Sequence, residues 1–92
     1  MKTYVVGYDL NKPGQDYANL IAALKAYPNW WHHLDSTWVI KTDLTATQIR
    51  DDLKQHIDAN DELLVVRPSG EGAWTGFTKE ASDWLMANLS FT

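Results

Sequence analysis

The sequence predicts an α+β domain, a two-layer sandwich in which two helices cover one face of an antiparallel sheet. Three observations carry that expectation. Short apolar stretches at Thr3–Leu10, Trp30–Asp35, Trp38–Thr42 and Glu62–Arg67 have the length and residue types of strands and are bounded by turn residues. Segments at Gln15–Tyr27 and after Thr45 repeat apolar residues at helical spacing. The chain of 92 residues leaves room for one domain with a modest core.

The first strand organises the rest. Tyr4, Val6 and Tyr8 fall on one face, Val5 and Gly7 on the other, the pattern of a central strand covered on both sides. The strand closes at Leu10, before the turn residues Asn11, Pro13 and Gly14. Near its end it delivers one carboxylate, Asp9, where a buried strand opens into a loop. That placement makes Asp9 the first functional candidate, against the structural role of capping or solvating the strand end.

Tyr17, Leu20, Ile21, Leu24 and Tyr27 then form one stripe of a helix, preceded by Pro13-Gly14 and ended by Pro28. Trp30–Asp35 and Trp38–Thr42 read as two strands joined at Asp35-Ser36, whose side chains bond their own backbone in turns. His32 and His33 point to opposite faces of a strand, so they cannot share one metal site. The tryptophans are expected to fill a core or an interface.

Thr45 and Gln48 match a capping box. The helix that follows buries Ile49, Leu53, His56 and Ile57 and turns Arg50, Asp51, Asp52, Lys54 and Asp58 to water. Asn60-Asp61 leads into Glu62–Arg67, which Pro68-Ser69-Gly70 closes. Gly72 and Gly76 flank Trp74 in a short fifth strand or an irregular arm. Thr78 caps a final helix with Ala81, Trp84, Leu85, Asn88 and Leu89 on one stripe.

The order strand, helix, strand, strand, helix, strand is the ferredoxin-like βαββαβ pattern, here with a short fifth strand and a C-terminal helix. Right-handed crossovers place the first and third strands at the centre of the sheet. The expected single domain spans 1–92, with a core at 3–68 and an arm and helix at 69–92. Two helices cover only one face, yet Val5, Val6, Val39, Ile40 and Leu63 to Val66 supply apolar groups to both. The second face therefore needs the last segment of the chain or a second copy of the protein.

Composition narrows the setting. There is no cysteine, so disulfides and thiolate chemistry are excluded, and no apolar run approaches the roughly 20 residues of a membrane span. Met1-Lys2-Thr3 leads straight into a strand without a signal-peptide pattern, and a cytoplasmic protein without membrane contact is expected. A net charge of -4 opposes nonspecific contact with nucleic acid, so phosphate would need a local basic patch or a metal ion. The glycines lack the spacing of a phosphate-binding loop.

Tyr4-Val-Val-Gly-Tyr-Asp-Leu10, the element order and the short terminal strand after Pro68 resemble the CRISPR-associated protein 2 superfamily over roughly residues 3–77. Tyr8-Asp-Leu-Asn11, Trp31-His32, Leu34-Asp-Ser-Thr-Trp38 and Ala73-Trp-Thr-Gly-Phe77 are similar to small bacterial proteins labelled SinR-like. The wider resemblance implies a homodimer with the two sheets face to face and the terminal strand reaching across. It also implies that Asp9 of each subunit lies near the dimer axis, where some members hold Mg2+ and cut RNA or DNA and others act as scaffolds. Basic residues typical of nucleic-acid-binding members are sparse here, and the C-terminal helix is an addition.

Three functions follow. The first is a homodimeric adaptor or scaffold acting on a protein partner, favoured by net acidity. The second is an endonuclease in which paired Asp9 carboxylates share a divalent cation that activates water, with Tyr8, Ser36 and Thr37 as hydroxyls able to orient water or phosphate. Those hydroxyls also suit ordinary turn and sheet hydrogen bonds. The third is a nucleic-acid-binding module that stacks bases on Trp30, Trp31 or Trp38 and holds phosphates with Lys41 and Arg67, which requires exposed rings.

Overall fold

The structure, a computed structural model, describes residues 1–11 and 17–89. Within them the chain forms β1 (Lys2–Asp9), α1 (Ala18–Lys25), β2 (Asn29–Leu34), β3 (Thr37–Thr42), α2 (Ala46–Leu53), β4 (Glu62–Val66) and α3 (Lys79–Asn88). A turn of 3-10 helix at Lys54–His56 extends α2. The result is a small α+β domain whose four-stranded antiparallel sheet has the order β2-β3-β1-β4. β1 and β3 are central, and β2 and β4 are edges. No helix of the described residues is long and apolar enough to cross a membrane.

The first core lies where α1 and α2 meet the sheet. Tyr4, Val6, Trp38 and Ile40 contribute from β1 and β3; Leu20, Leu24, Ile49 and Leu53 contribute from the helices. Tyr17, Ile21, Leu63 and Val65 pack at its margin. Each fully buried aliphatic side chain here stabilises the fold by about 1.5–3 kcal/mol relative to exposure. Pro13, Gly14 and the expected helix start at Gln15 lie outside the described residues. At its other end α1 tightens before Pro28: the Tyr27 amide donates to the Leu24 carbonyl at 3.3 Å, an i to i+3 bond.

The capping box at the start of α2 is complete. The Gln48 amide donates to Thr45 Oγ1 at 3.2 Å, and the Thr45 amide donates to Gln48 Oε1 at 2.9 Å. The exposed face of this segment differs from the expectation at two positions. Asp52 is half-buried because the Tyr27 hydroxyl, arriving from the end of α1, donates to its Oδ2 at 2.8 Å. Asp58 is likewise only partly exposed.

The second face of the sheet is covered in cis. Trp31 and Val39 pack under Ala81 and Leu85 of α3, with Val5, Trp74, Phe77, Trp84 and Leu89 around them. Hydrogen bonds fix the helix at several points: Trp84 Nε1 donates to Asn29 Oδ1 at 3.1 Å, and Thr3 Oγ1 donates to the Asn88 carbonyl at 2.8 Å. The short fifth strand expected around Trp74 does not form among the described residues; 67–78 is an irregular arm. Its indole explains why, since Trp74 turns under α3 and donates to Ser82 Oγ at 3.1 Å instead of facing a strand partner.

Coverage stops before β4. Leu64 is 61% exposed and Val66 43% exposed, on the same face as Gly7 and Val5. α3 thus shields β2, β3 and the Thr3–Val5 stretch of β1 on that face, and leaves β4 and the Gly7–Asp9 end of β1 open.

Candidate functional site

Strand alternation decides which way the candidate residues look. Val5, Gly7 and Asp9 share the α3 face of β1, while Tyr8 turns toward the α1-α2 core. Asp9 is exposed and stands directly opposite Glu62, the first residue of β4. Two carboxylates therefore sit together at one end of the open strip. Gly7, Tyr8, Asp9, Glu62, Leu63 and Leu64 line a shallow cavity of about 320 Å³ there.

Tyr8 is held by its neighbours. Trp38 Nε1 donates to the Tyr8 hydroxyl oxygen at 3.1 Å, and that hydroxyl lies 3.4 Å from the Asp35 carbonyl. The Tyr8 amide donates to the Ser36 carbonyl at 3.1 Å, so the β2-β3 turn is stitched to the end of β1. Ser36 is exposed in that turn, and Thr37 pairs with Gly7 in the β1-β3 register. The structure thus places Tyr8 and Asp9 on one cavity, with Ser36 and Thr37 one strand away and outside its lining. Glu62 is the residue that sequence reading missed. Its signal was the antiparallel pairing of β1 with β4, which sets the first residue of one opposite the last of the other.

Among the described residues no group of three or more His, Asp or Glu side chains converges as a metal cluster. Asp9 and Glu62 present hard oxygen ligands at an exposed edge, a donor set that suits Mg2+ bound by one or two carboxylates with water completing the shell. His32 and His33 lie on opposite faces: His32 stacks on Trp38 with centroids 3.9 Å apart, and His33 sits 5.1 Å from Trp31.

The tryptophans are mostly internal. Trp38 is 0% and Trp31 4% exposed, so neither ring offers a free face for a base. Trp30 keeps 38% exposure beneath Lys25, whose Nζ lies 5.6 Å from its centroid. Lys41 and Arg67 lie at the other end of the sheet, across the length of β1 from Asp9.

Comparison of the chain with protein-family models, curated proteins and solved structures returned no match.

Proposed function

We propose that the protein is a homodimeric adaptor or scaffold with a ferredoxin-like βαββαβ core, similar in plan to the CRISPR-associated protein 2 superfamily. The observation that carries this reading is the uncovered strip of the α3 face made by β4 and the Gly7–Asp9 end of β1. Leu64 forms a ridge there, and Gly7 leaves a gap beside it, with nothing within 4 Å of the place a Cβ would occupy. Ridge and gap are adjacent in register, Gly7 opposite Leu64, so a twofold copy can set its Leu64 against this Gly7 and the reverse. The strand order, with α1 and α2 on one face, supports the core plan.

A second reading rests on Asp9 and Glu62. Closing two copies over the open strip gathers both pairs of carboxylates at one interface. Their mutual repulsion is relieved by a divalent cation, which would supply a Lewis acid for phosphodiester hydrolysis. Asp9 and Glu62 are the residues that would hold it.

Sizing by light scattering at high micromolar concentration, beside Leu64→Lys, tests the first reading. A dimeric wild type and a monomeric variant of equal thermal stability are expected; a monomeric wild type overturns the dimer. Labelled RNA and DNA with Mg2+ or Mn2+, wild type against Asp9→Asn, tests the second. Cleavage lost in an equally dimeric variant supports a nuclease, and no cleavage by either protein leaves the scaffold.

A further inference from the structure

The sheet ends in two edge strands, β2 and β4, and only β2 is blunted against further pairing. Its register with β3 is irregular between Trp31 and Leu34, and such an irregularity bends an edge away from a neighbour. β4 pairs with β1 without interruption from Glu62 to Val66 and contains neither proline nor lysine. No described residue pairs with its outer edge. We propose that this edge pairs with β4 of a second copy of the chain, antiparallel across a twofold axis at Leu64, and so joins two four-stranded sheets into one continuous sheet.

Charge selects the partner. Asp61 and Glu62 open the strand and Arg67 follows it, with Leu63, Leu64, Val65 and Val66 between them. Glu62 and Arg67 are exposed, and neither is ion-paired with a described residue. Antiparallel pairing brings the acidic end of each strand to the cationic end of the other, whereas parallel pairing sets like charges opposite one another. The β4 edge therefore carries its own complement.

Side-chain alternation fixes the register. Leu64 and Val66 point to the α3 face, and Leu63 and Val65 pack at the margin of the α1-α2 core, so a slip of one residue sets each apolar set on the wrong face. With Leu64 opposite Leu64 the whole strand pairs: Glu62 meets Val66, Leu63 meets Val65, and Arg67 just beyond meets Asp61. A slip of two residues one way brings Pro68, which has no amide hydrogen, opposite Glu62; the other way it sets Val66 against Asn60, outside the strand. This contact uses main-chain groups at the rim of the sheet and not the Gly7 gap, so it is separate from the face-to-face packing proposed above.

The test is disulfide trapping, since the chain has no cysteine of its own. Glu62→Cys and Val66→Cys change exposed positions and are expected to fold at unchanged thermal stability. Mixed in equal amounts under mild oxidation, they are expected to form the heterodimer well beyond its statistical excess over either homodimer. In the paired strands the two Glu62 positions stand about 13 Å apart, too far for a disulfide. Statistical proportions, a predominance of either homodimer, or no cross-link overturns the antiparallel edge. Repeating the mixture with Gly7→Leu in both copies separates the two contacts: a heterodimer that persists belongs to the edge, and one that is lost belongs to the face-to-face packing and overturns the edge. Arg67→Glu is expected to weaken pairing by about two- to fivefold at low salt; pairing insensitive to it overturns the complementarity that selects a second copy. In the unsubstituted protein, an equal mixture of 13C-labelled and unlabelled copies at high micromolar concentration should show intermolecular NOEs between Leu63 and Val65. Intermolecular NOEs at Gly7 and Leu64 without that pair leave only the face-to-face dimer, and no intermolecular NOE at all overturns the edge as well.

Discussion

Trp31 Nε1 donates to the main-chain carbonyl of Ala81 at 3.2 Å, a buried bond that joins β2 to α3. Around it Leu85 is 4% and Ala81 1% exposed, so α3 is part of the folded domain and not a loose appendage. Leu85→Ala is expected to lower unfolding stability by about 2–5 kcal/mol. Trp31→Phe removes the indole donor while the Ala81 carbonyl keeps its helical partner, the Leu85 amide, so the loss is that of one hydrogen bond, about 0.5–1.5 kcal/mol, plus the lost indole packing. Urea unfolding followed by tryptophan fluorescence measures both; a change below a few tenths of a kcal/mol for Leu85→Ala would show that α3 is undocked.

The Tyr27-Asp52 bond predicts an alkaline limit to stability. Burial first, then the hydrogen bond to Asp52 and its negative charge, hold the Tyr27 phenol well above the ordinary tyrosine range. The folded state therefore keeps a proton that the unfolded state releases. The contribution is fully present below the unfolded value of about 10 and is lost as pH rises from there toward the folded value. Unfolding free energy measured from pH 8 to 12 should fall in the wild type and fall less in Tyr27→Phe. At neutral pH that variant loses a hydrogen bond to a charged group, about 1.5–3 kcal/mol.

Asp61 ties three segments together. Its Oδ1 accepts the Asn11 amide at 2.8 Å, and its Oδ2 accepts the Tyr17 hydroxyl at 3.0 Å and the Asp58 amide at 2.8 Å. The exit of β1, the entry of α1 and the approach to β4 thus share one carboxylate, close to the Asp9-Glu62 pair. Asp61→Ala is expected to cost about 2–3 kcal/mol, since it strips a charged acceptor from several donors. Amide exchange at Asn11 and Asp58 should rise more than in the centre of β3. Uniform exchange with no local increase would show that Asp61 acts only through solvation.

What could be read in advance was local. Thr45 and Gln48 announce their capping box because both partners lie within one turn, and Ala81, Leu85 and Leu89 announce a stripe because helical period alone aligns them. Asp52 was misplaced in water because the helical period of α2 contains no information about a hydroxyl arriving from Tyr27. Trp74 between glycines looks like a strand residue until a helix arrives to cover it. Glu62 gains meaning only from the register that sets it against Asp9, a pairing made across most of the chain. The candidate site is thus half legible: Asp9 marks a strand end, while its neighbour is a product of tertiary pairing.

Gly7 separates the monomer from the proposed dimer. It lies in β1 between Thr37 and Leu64 and has no positive φ, so the backbone accepts an L side chain. A Cβ would meet nothing within 4 Å in the isolated chain. Gly7→Ala should leave the monomer unchanged or more stable by up to about 1 kcal/mol, because glycine in a strand interior is the less favourable residue. In a dimer closed over this strip, the same methyl group enters the gap that receives the partner subunit. Gly7→Leu would fill that gap outright and weaken the dimer further. Sedimentation equilibrium and urea unfolding at low concentration measure the two quantities separately. Weakened self-association with retained monomer stability places the interface on β1 and β4; unchanged self-association in both variants moves it to another face.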